Sequence, residues 1–257
     1  MLSESRVWGA IPSGFKKVTD GSGLRLVVRE DRIDHIDFSI CCFDRDGAGV
    51  QRYYGRAALK AVPLVDGATA LVRDYRHGGF FRSVTRTWFF TWPPRPFREL
   101  TITEELRRRG LPTVEVFAAC VQQIGGPFYR GSLVTRELNG ACDLWAALRA
   151  DGVASEERRA ILKATAATVS HMHREGVFHS DLNLKNILIR KEAGGVAAYI
   201  IDFDKAKLFL GRLPPLLARR NLDRLLRSAL KLDPERHYLS DGAWQEFLSY
   251  YHGAADA

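Results

Sequence analysis

Between residues 179 and 204 the chain reads His179-Ser180-Asp181-Leu182-Asn183-Leu184-Lys185-Asn186, an apolar run, Gly194-Gly195, a second apolar run, and then Asp202-Phe203-Asp204. An aspartate, an asparagine five residues later and a second aspartate after a hairpin are the groups that phosphoryl transfer from a magnesium nucleotide requires. One carboxylate must orient the attacking hydroxyl and accept its proton, which suits Asp181. Magnesium takes hard oxygen donors, which suits Asn186 and Asp202. An isolated H-x-D triplet would be weak, and an acidic surface loop before an ordinary hairpin is the plain alternative. Order, spacing and flanking strands together make the motif specific.

The surrounding elements must deliver these groups to one place. Leu184 and Ile187–Ile189 read as a short strand, Gly194-Gly195 as its turn, and Val196–Ile201 as a buried strand ending at Asp202. Upstream, Ser155 is placed to cap a helix with Glu156 and Glu157 in its first turn. Ile161, Thr165, Val169 and Met172 recur at helical spacing, and Gly176 ends that helix just before the loop. The first ~135 residues read as strand-rich. Leu24–Val28 and Phe38–Phe43 are expected strands. Ala57–Val65 and Ala68–Tyr75 form a pair around a two-residue Asp66-Gly67 turn. Trp92–Pro96 breaks regular structure, Phe97–Arg109 forms a helix, and Gly110 and Pro112 stop it. Val114–Gln122 and Tyr129–Glu137 read as extended. Asn139-Gly140 marks a break between halves.

The chain has 257 residues, 46% hydrophobic and 11% aromatic, enough for a substantial core in one large or two small domains. Its net charge of +8 points to a polyanionic neighbour without choosing among nucleic acid, anionic lipid and phosphorylated glycan. The four cysteines show no C-x-x-C spacing and read as reduced, in a cytoplasmic protein. The N-terminal residues lack a signal-peptide pattern, and no apolar run approaches the ~20 residues that span a bilayer.

With these residues in view, the chain resembles the lipopolysaccharide core kinases, the Kdo (3-deoxy-D-manno-octulosonic acid) and heptose kinase family, remote relatives of protein kinases. Leu71-Val72-Arg73-Asp74-Tyr75-Arg76-His77-Gly78-Gly79 resembles the family's strand ending in a basic Gly-Gly segment. Arg98-Glu99-Leu100, Leu106 and Arg109–Thr113 resemble its helix and exit. His173–Asn183 through Ile201–Lys205 resembles its catalytic core, and Arg219–Leu225 its last helix. The likeness covers about residues 45–235 and tilts toward the Kdo kinase branch.

The resemblance implies an α+β, bilobal protein-kinase-like fold. A strand-rich small lobe over 1–138 binds nucleotide, and a mostly helical large lobe over 139–257 is catalytic. It implies ATP-dependent phosphorylation of a hydroxyl of Kdo in the lipopolysaccharide inner core (Kdo-lipid A), with ATP and Mg2+ as cofactors. The partners implied are that glycolipid and an anionic membrane surface, with no nucleic acid, at the cytoplasmic face of the inner membrane. Asp181 is the catalytic carboxylate, Lys185 a cation for the transferring phosphoryl group, and Asn186 and Asp202 the metal ligands. His179 braces the loop. Asp204 is a second candidate metal or lysine partner, and it replaces the flexible glycine of protein kinases, which speaks against an activation-loop switch.

For the cofactor-binding set, a kinase needs a phosphate-gripping cation on its third strand, and Arg73 takes the place of the expected lysine, with Lys60 as the alternative. Glu99 is the expected ion-pair partner, whereas Glu104 and Glu105 turn away from its face. Gly55 is favoured over Gly47-Ala48-Gly49 as the phosphate loop. Glu137 falls where backbone groups would meet adenine.

Two basic surfaces stand out. The helix Arg219–Leu232 is read first as packed, with a solvated cationic face. The cluster of Arg76, His77, Arg82 and Arg86 with Phe80, Phe81, Trp88, Phe89, Phe90 and Trp92 is the stronger membrane or glycan candidate. The competing functions are a heptose kinase, a minimal protein kinase and a silent kinase-like scaffold. Against a protein kinase, only 53 residues follow Asp204 and no A-P-E segment occurs. Against a scaffold, Asp181, Asn186 and Asp202 are all present.

Overall fold

In a computed structural model, residues 7–20, 23–36, 51–53, 59–75 and 88–255 are described. They group into two compact units, Met1–Glu105 with Glu115–Glu137, and Leu106–Val114 with Leu138–Ala257.

The first unit is built on a seven-stranded antiparallel sheet. Its strands are β1 (Phe15–Thr19), β2 (Leu24–Arg29), β3 (Gln51–Tyr53), β4 (Leu59–Pro63), β5 (Thr69–Asp74), β6 (Val116–Gly125) and β7 (Phe128–Arg136). They lie in the order β1-β2-β6-β7-β5-β4-β3. Val116–Val121 is buried without interruption, as a central strand covered on both faces must be. One face packs Leu26, Val28, Val72, Phe117 and Val134. The other packs Val27, Tyr75, Val121, Tyr129 and Leu133 against Phe97 and Leu100 of helix α1 (Arg95–Arg108). Burying each of those two helix side chains contributes about 1.5–3 kcal/mol.

Cross-strand pairing decides which face each β4 and β5 residue takes. Lys60 is opposite Val72, and Arg73 is opposite Leu133. Directly opposed residues share a face, so Lys60 lies on the Val72 side and Arg73 on the side of Tyr75 and α1.

The β4–β5 hairpin differs from the expected two-residue turn. Leu64 donates to Ala68 O, and Gly67 donates back to Leu64 O, which leaves three residues in the loop. Gly67 has φ 79°, and the Ala68 amide is held by Asp66 Oδ1 at 3.1 Å. A glycine in the left-handed region closes such a three-residue hairpin. The expected strand Phe38–Phe43 lies outside the described residues.

The second unit is mostly helical. It holds β8 (Cys142–Asp143), α2 (Leu144–Leu148), α3 (Ser155–Arg174), β9 (Val177–Phe178), β10 (Ile187–Glu192), β11 (Gly195–Ile200), β12 (Lys207–Leu208), α4 (Pro215–Leu232) and α5 (Asp241–Ala255). Helix α3 packs on α5 and on β11. Its buried stripe includes Ile161, Thr165, Val169 and Met172, the residues at helical spacing. Ala154 is its N-cap, so Ser155 is the first helical residue rather than the cap. In the β10–β11 hairpin Glu192 pairs with Gly195, which makes Ala193-Gly194 the turn, one residue earlier than expected.

Cys120, fully buried in β6, is disulfide-bonded, whereas Cys142 is a free thiol. This corrects the expectation of four reduced cysteines. Among the described residues no helix is long and apolar enough to cross a membrane.

Candidate active site

The loop between β9 and β10 holds Asp181, Lys185 and Asn186, and the residues after β11 hold Asp202. All four belong to the second unit. Asn186 spends its side-chain amide on the Asp181 carbonyl at 2.9 Å, and its own carbonyl accepts from Ile201 N at 3.0 Å. Hydrogen bonds thus run from Asp181 through Asn186 to the residue before Asp202. Asn183 adds a second donor to the Asp181 carbonyl at 2.8 Å and accepts from Lys185 N at 2.9 Å, which caps the one-turn 3-10 segment Leu184–Asn186. Asp181 and Lys185 are exposed, and Asn186 and Asp202 are half-buried.

His179 closes the same circuit. Its Nε2 donates to Ile201 O at 3.0 Å, and its Nδ1 accepts from Asp181 N at 3.2 Å. With one nitrogen donating and the other accepting, the ring is neutral and its tautomer is set. Burial lowers its pKa, in keeping with that state. The ring is 1% exposed and packs on Phe203, centroids 5.2 Å apart. His179 therefore braces the loop, and both of its nitrogens are engaged in doing so.

Asp202 has φ 69°, in the left-handed region that non-glycine residues seldom occupy. Such a conformation persists where the surroundings over-determine it. Ile201 fixed by two backbone contacts on one side and buried Phe203 on the other supply that constraint.

Asn221 of α4 was not singled out for any role in the sequence. It is fully buried, accepts from His179 N at 3.1 Å and donates to His179 O at 2.6 Å. His173 of α3 contacts the same Asn221 oxygen at 3.2 Å and Tyr251 Oη at 2.8 Å. Two helices thus hold the start of the loop. The signal was present: Asn221 interrupts an otherwise apolar stripe of Ala218, Leu222, Leu225 and Ala229, and a polar residue on a core face must find partners there.

In the first unit, Glu99 of α1 is 2% exposed and accepts from Arg73 Nη2 at 2.5 and 2.6 Å, as well as from the Tyr75 hydroxyl. The Arg73 guanidinium also lies 5.0 Å from the Tyr75 ring centre. Glu99 is thus a buried ion-pair partner rather than a solvated helix charge. Lys60, on the opposite face, is separated from this pair by the sheet. Glu104 turns elsewhere and accepts from Val116 N at 2.9 Å. Glu137 commits its own N–H to Thr69 O at 2.9 Å, and the next carbonyl, Leu138 O, accepts from Ala141 N at 3.0 Å. Gly55, Gly47-Ala48-Gly49 and the cluster residues 76–86 lie outside the described residues. Of that cluster, Phe89 is buried, while Trp88 and Phe90 are exposed and meet Phe128.

The donor set suits magnesium. With its amide nitrogen engaged at Asp181, Asn186 keeps its oxygen, and Asp202 and Asp204 add carboxylates nearby in sequence. Among the described residues no cluster of three or more His, Cys, Asp or Glu could hold a metal ion. Nucleotide magnesium needs none, because it takes one or two carboxylates and completes its shell with phosphate and water oxygens.

Comparison with known proteins agrees with this chemistry. The model of the lipopolysaccharide kinase (Kdo/WaaP) family matches residues 50–251. A 3-deoxy-D-manno-octulosonic acid kinase of Xylella fastidiosa (strain 9a5c) is 36% identical over 183 residues, 69% of this chain and 68% of its own. Its counterpart in Pasteurella multocida (strain Pm70) is 29% identical over 189 residues, 72% and 76% of the two chains. One in Vibrio vulnificus (strain YJ016) is 33% identical over 187 residues, 71% and 75%. A solved structure described as WaaP in complex with acyl carrier protein superposes with TM-score 0.54 at 22% identity, covering 79% of this chain and 78% of that one. That likeness shows a shared protein-kinase-like fold.

Proposed function

The chain belongs to the lipopolysaccharide kinase (Kdo/WaaP) family, and from that membership and the Asp181 loop we propose how it phosphorylates Kdo in the lipopolysaccharide inner core. It is an ATP-dependent kinase with an alcohol group as acceptor. The observation that carries the residue assignment is the hydrogen-bonded circuit joining Asp181, Asn186 and Ile201 beside Asp202.

Asp181, exposed on a fixed backbone, orients the sugar hydroxyl and takes its proton as the oxygen attacks the terminal phosphorus of ATP and the bond to the bridging oxygen breaks, releasing ADP. Lys185, exposed four residues on, offsets negative charge on the transferring group. Asn186 and Asp202 would hold Mg2+, which would supply charge neutralisation at the nucleotide phosphates. Arg73, oriented by Glu99 and Tyr75, grips the phosphates, with Gly55 in the covering turn and the Glu137 carbonyl near adenine. The acceptor is a glycolipid, so the protein works peripherally at the cytoplasmic face of the inner membrane, where a net charge of +8 favours anionic lipid.

The test is ATP-dependent phosphorylation of purified Kdo-lipid A. Asp181→Ala and Asp202→Asn each lower kcat by about 1,000-fold or more while the protein stays folded. Asparagine tolerates the left-handed backbone at 202, so loss of activity there reports the charge. Near wild-type turnover by either variant overturns that residue's role, and transfer to protein serine with none to glycan overturns the acceptor.

A further inference from the structure

Tyr251 lies in α5 one turn after Phe247, and both side chains are buried. Phenylalanine would fill that place as well. The hydroxyl is an extra polar atom in the core, and a buried hydroxyl needs a partner there. It meets Nδ1 of His173 in α3 at 2.8 Å, with the two rings edge to face, their centroids 5.6 Å apart and their planes at 76°. The neighbouring Tyr250 turns its hydroxyl elsewhere, to Glu246 Oε1 at 2.7 Å.

The direction of every hydrogen bond around His173 follows from one amide. Asn221 Nδ2 donates to His179 O at 2.6 Å, and Asn221 Oδ1 accepts from His179 N at 3.1 Å. Main-chain groups cannot exchange donor and acceptor, so the Asn221 amide has one orientation. Its Oδ1 only accepts, so His173 Nε2, 3.2 Å away, carries the proton. Burial, with the charge of Arg212, keeps the His173 ring neutral. A neutral imidazole has one N–H, so Nδ1 is bare and accepts from the Tyr251 hydroxyl. Burial raises the Tyr251 pKa, so the phenol keeps the proton it donates. Removing that hydroxyl leaves Nδ1 a buried acceptor without a donor, which costs free energy. Turning the ring or moving its proton to Nδ1 relieves the cost, and either change takes Nε2–H away from Asn221.

We propose that Tyr251 is a positioning residue for phosphoryl transfer: its hydroxyl fixes the His173 ring and, through Asn221 and His179, the backbone that carries Asp181. The path is continuous and lies within one unit. It runs from Tyr251 Oη to His173, on to Asn221 and the His179 main chain, and ends at His179 Nδ1, which accepts from Asp181 N at 3.2 Å. Helix α5, distant in sequence from the loop, thereby takes part in setting the rate. A misplacement of about 1 Å at reacting groups can cost about 100-fold, so a hydroxyl that touches no substrate can still govern turnover. The proposal rests on the reading of Asp181 as the carboxylate that takes the acceptor's proton.

The experiment compares full-length wild type, Tyr251→Phe and Tyr250→Phe in single-turnover transfer from ATP to Kdo-lipid A over a range of ATP concentrations. Circular dichroism at the assay temperature confirms that each protein is folded. Tyr251→Phe lowers the maximal rate about tenfold or more and moves the half-saturating ATP concentration by less than about twofold. Tyr250→Phe, which removes a hydroxyl from the same helix without touching His173, keeps the wild-type rate. His173→Gln also slows transfer, and adding Tyr251→Phe to it costs less than about a further twofold, because the ring through which the hydroxyl acts is gone. Amide hydrogen exchange gives a readout that needs no turnover: in Tyr251→Phe the His179 and Asp181 amides exchange about tenfold faster than in wild type. A maximal rate within about twofold of wild type in folded Tyr251→Phe overturns the proposal, as do full additivity with His173→Gln and unchanged exchange of both amides. If His173→Gln does not fold, the Tyr251→Phe rate and the amide exchange decide. Failure of wild type to phosphorylate Kdo-lipid A overturns the acceptor reading instead, and the amide exchange still decides whether Tyr251 holds the loop.

Discussion

At the scale of residues, chemistry and support are divided. Asp181, Lys185, Asn186 and Asp202 have types that phosphoryl transfer requires, and His179 and Asn221 spend their side-chain hydrogen bonds on placing the loop. Arg73 shows the same division in the first unit. One guanidinium nitrogen, Nη2, reaches both carboxylate oxygens of Glu99, and the sheet separates it from Lys60, which leaves Lys60 on the wrong face to share that carboxylate. Arg73→Ala should therefore reduce kcat/KM by about 100-fold or more, Arg73→Lys by about tenfold, and Lys60→Ala by less than about twofold. Arg73→Ala should also destabilise the fold by about 3 kcal/mol, because it strips a buried carboxylate of its cation. Steady-state kinetics beside urea denaturation measure both, and a Lys60→Ala loss equal to that of Arg73→Ala would reassign the phosphate grip. The sequence pointed to Arg73 with Glu99 and left Lys60 open as the alternative. Both cations lie on neighbouring strands, and only cross-strand register says which face each takes.

At the scale of elements, the sequence announced most of what was found. The periodicity of α3, the glycine that ends it, the strand leading to Asp202 and the helical stop at Gly110 are local signals, and local sterics enforce them. Ends shifted where a neighbour outvoted the local preference. The Ala193-Gly194 turn lies one residue early because the pairing of Glu192 with Gly195 fixes the hairpin register. The two-stranded β9–β12 pairing went unforeseen, since two-residue strands carry no periodicity. It depends on Gly176, which has φ 73° and no room for a side chain. Gly176→Ala should cost about 2 kcal/mol or more, through left-handed strain and contact with two backbone carbonyls. Gly194→Ala, with nothing within 4 Å of the added carbon, should change stability by less than about 0.5 kcal/mol. Denaturant midpoints of the two variants measure the contrast, and equal midpoints would remove Gly176 from the clamp.

At the scale of the molecule, one buried network makes stability depend on pH. Burial lowers the pKa of His173 from 6.5 to about 4, against a hydrogen bond that its Nε2 makes to Asn221 Oδ1, which raises it. The folded protein thus keeps His173 neutral where the unfolded chain takes up a proton. Stability is complete above about pH 6.5 and falls as pH drops toward 4, by about 3 kcal/mol from this group. Burial moves His179 in the same direction. Urea unfolding at pH 7.5 and pH 5 should show the loss, and His173→Gln should flatten it; equal stability of wild type at both values would contradict the burial argument. The sequence by itself determined the reaction chemistry, the order of elements and the family likeness, because motif spacing, turn residues and helical periodicity act over a few residues. Only the tertiary structure decided that Asn221 and His173 hold the loop, that Arg73 rather than Lys60 meets Glu99, and that Tyr251 reaches His173. Those outcomes depend on which distant segments come to lie side by side and which faces they cover, and packing decides that across the whole chain.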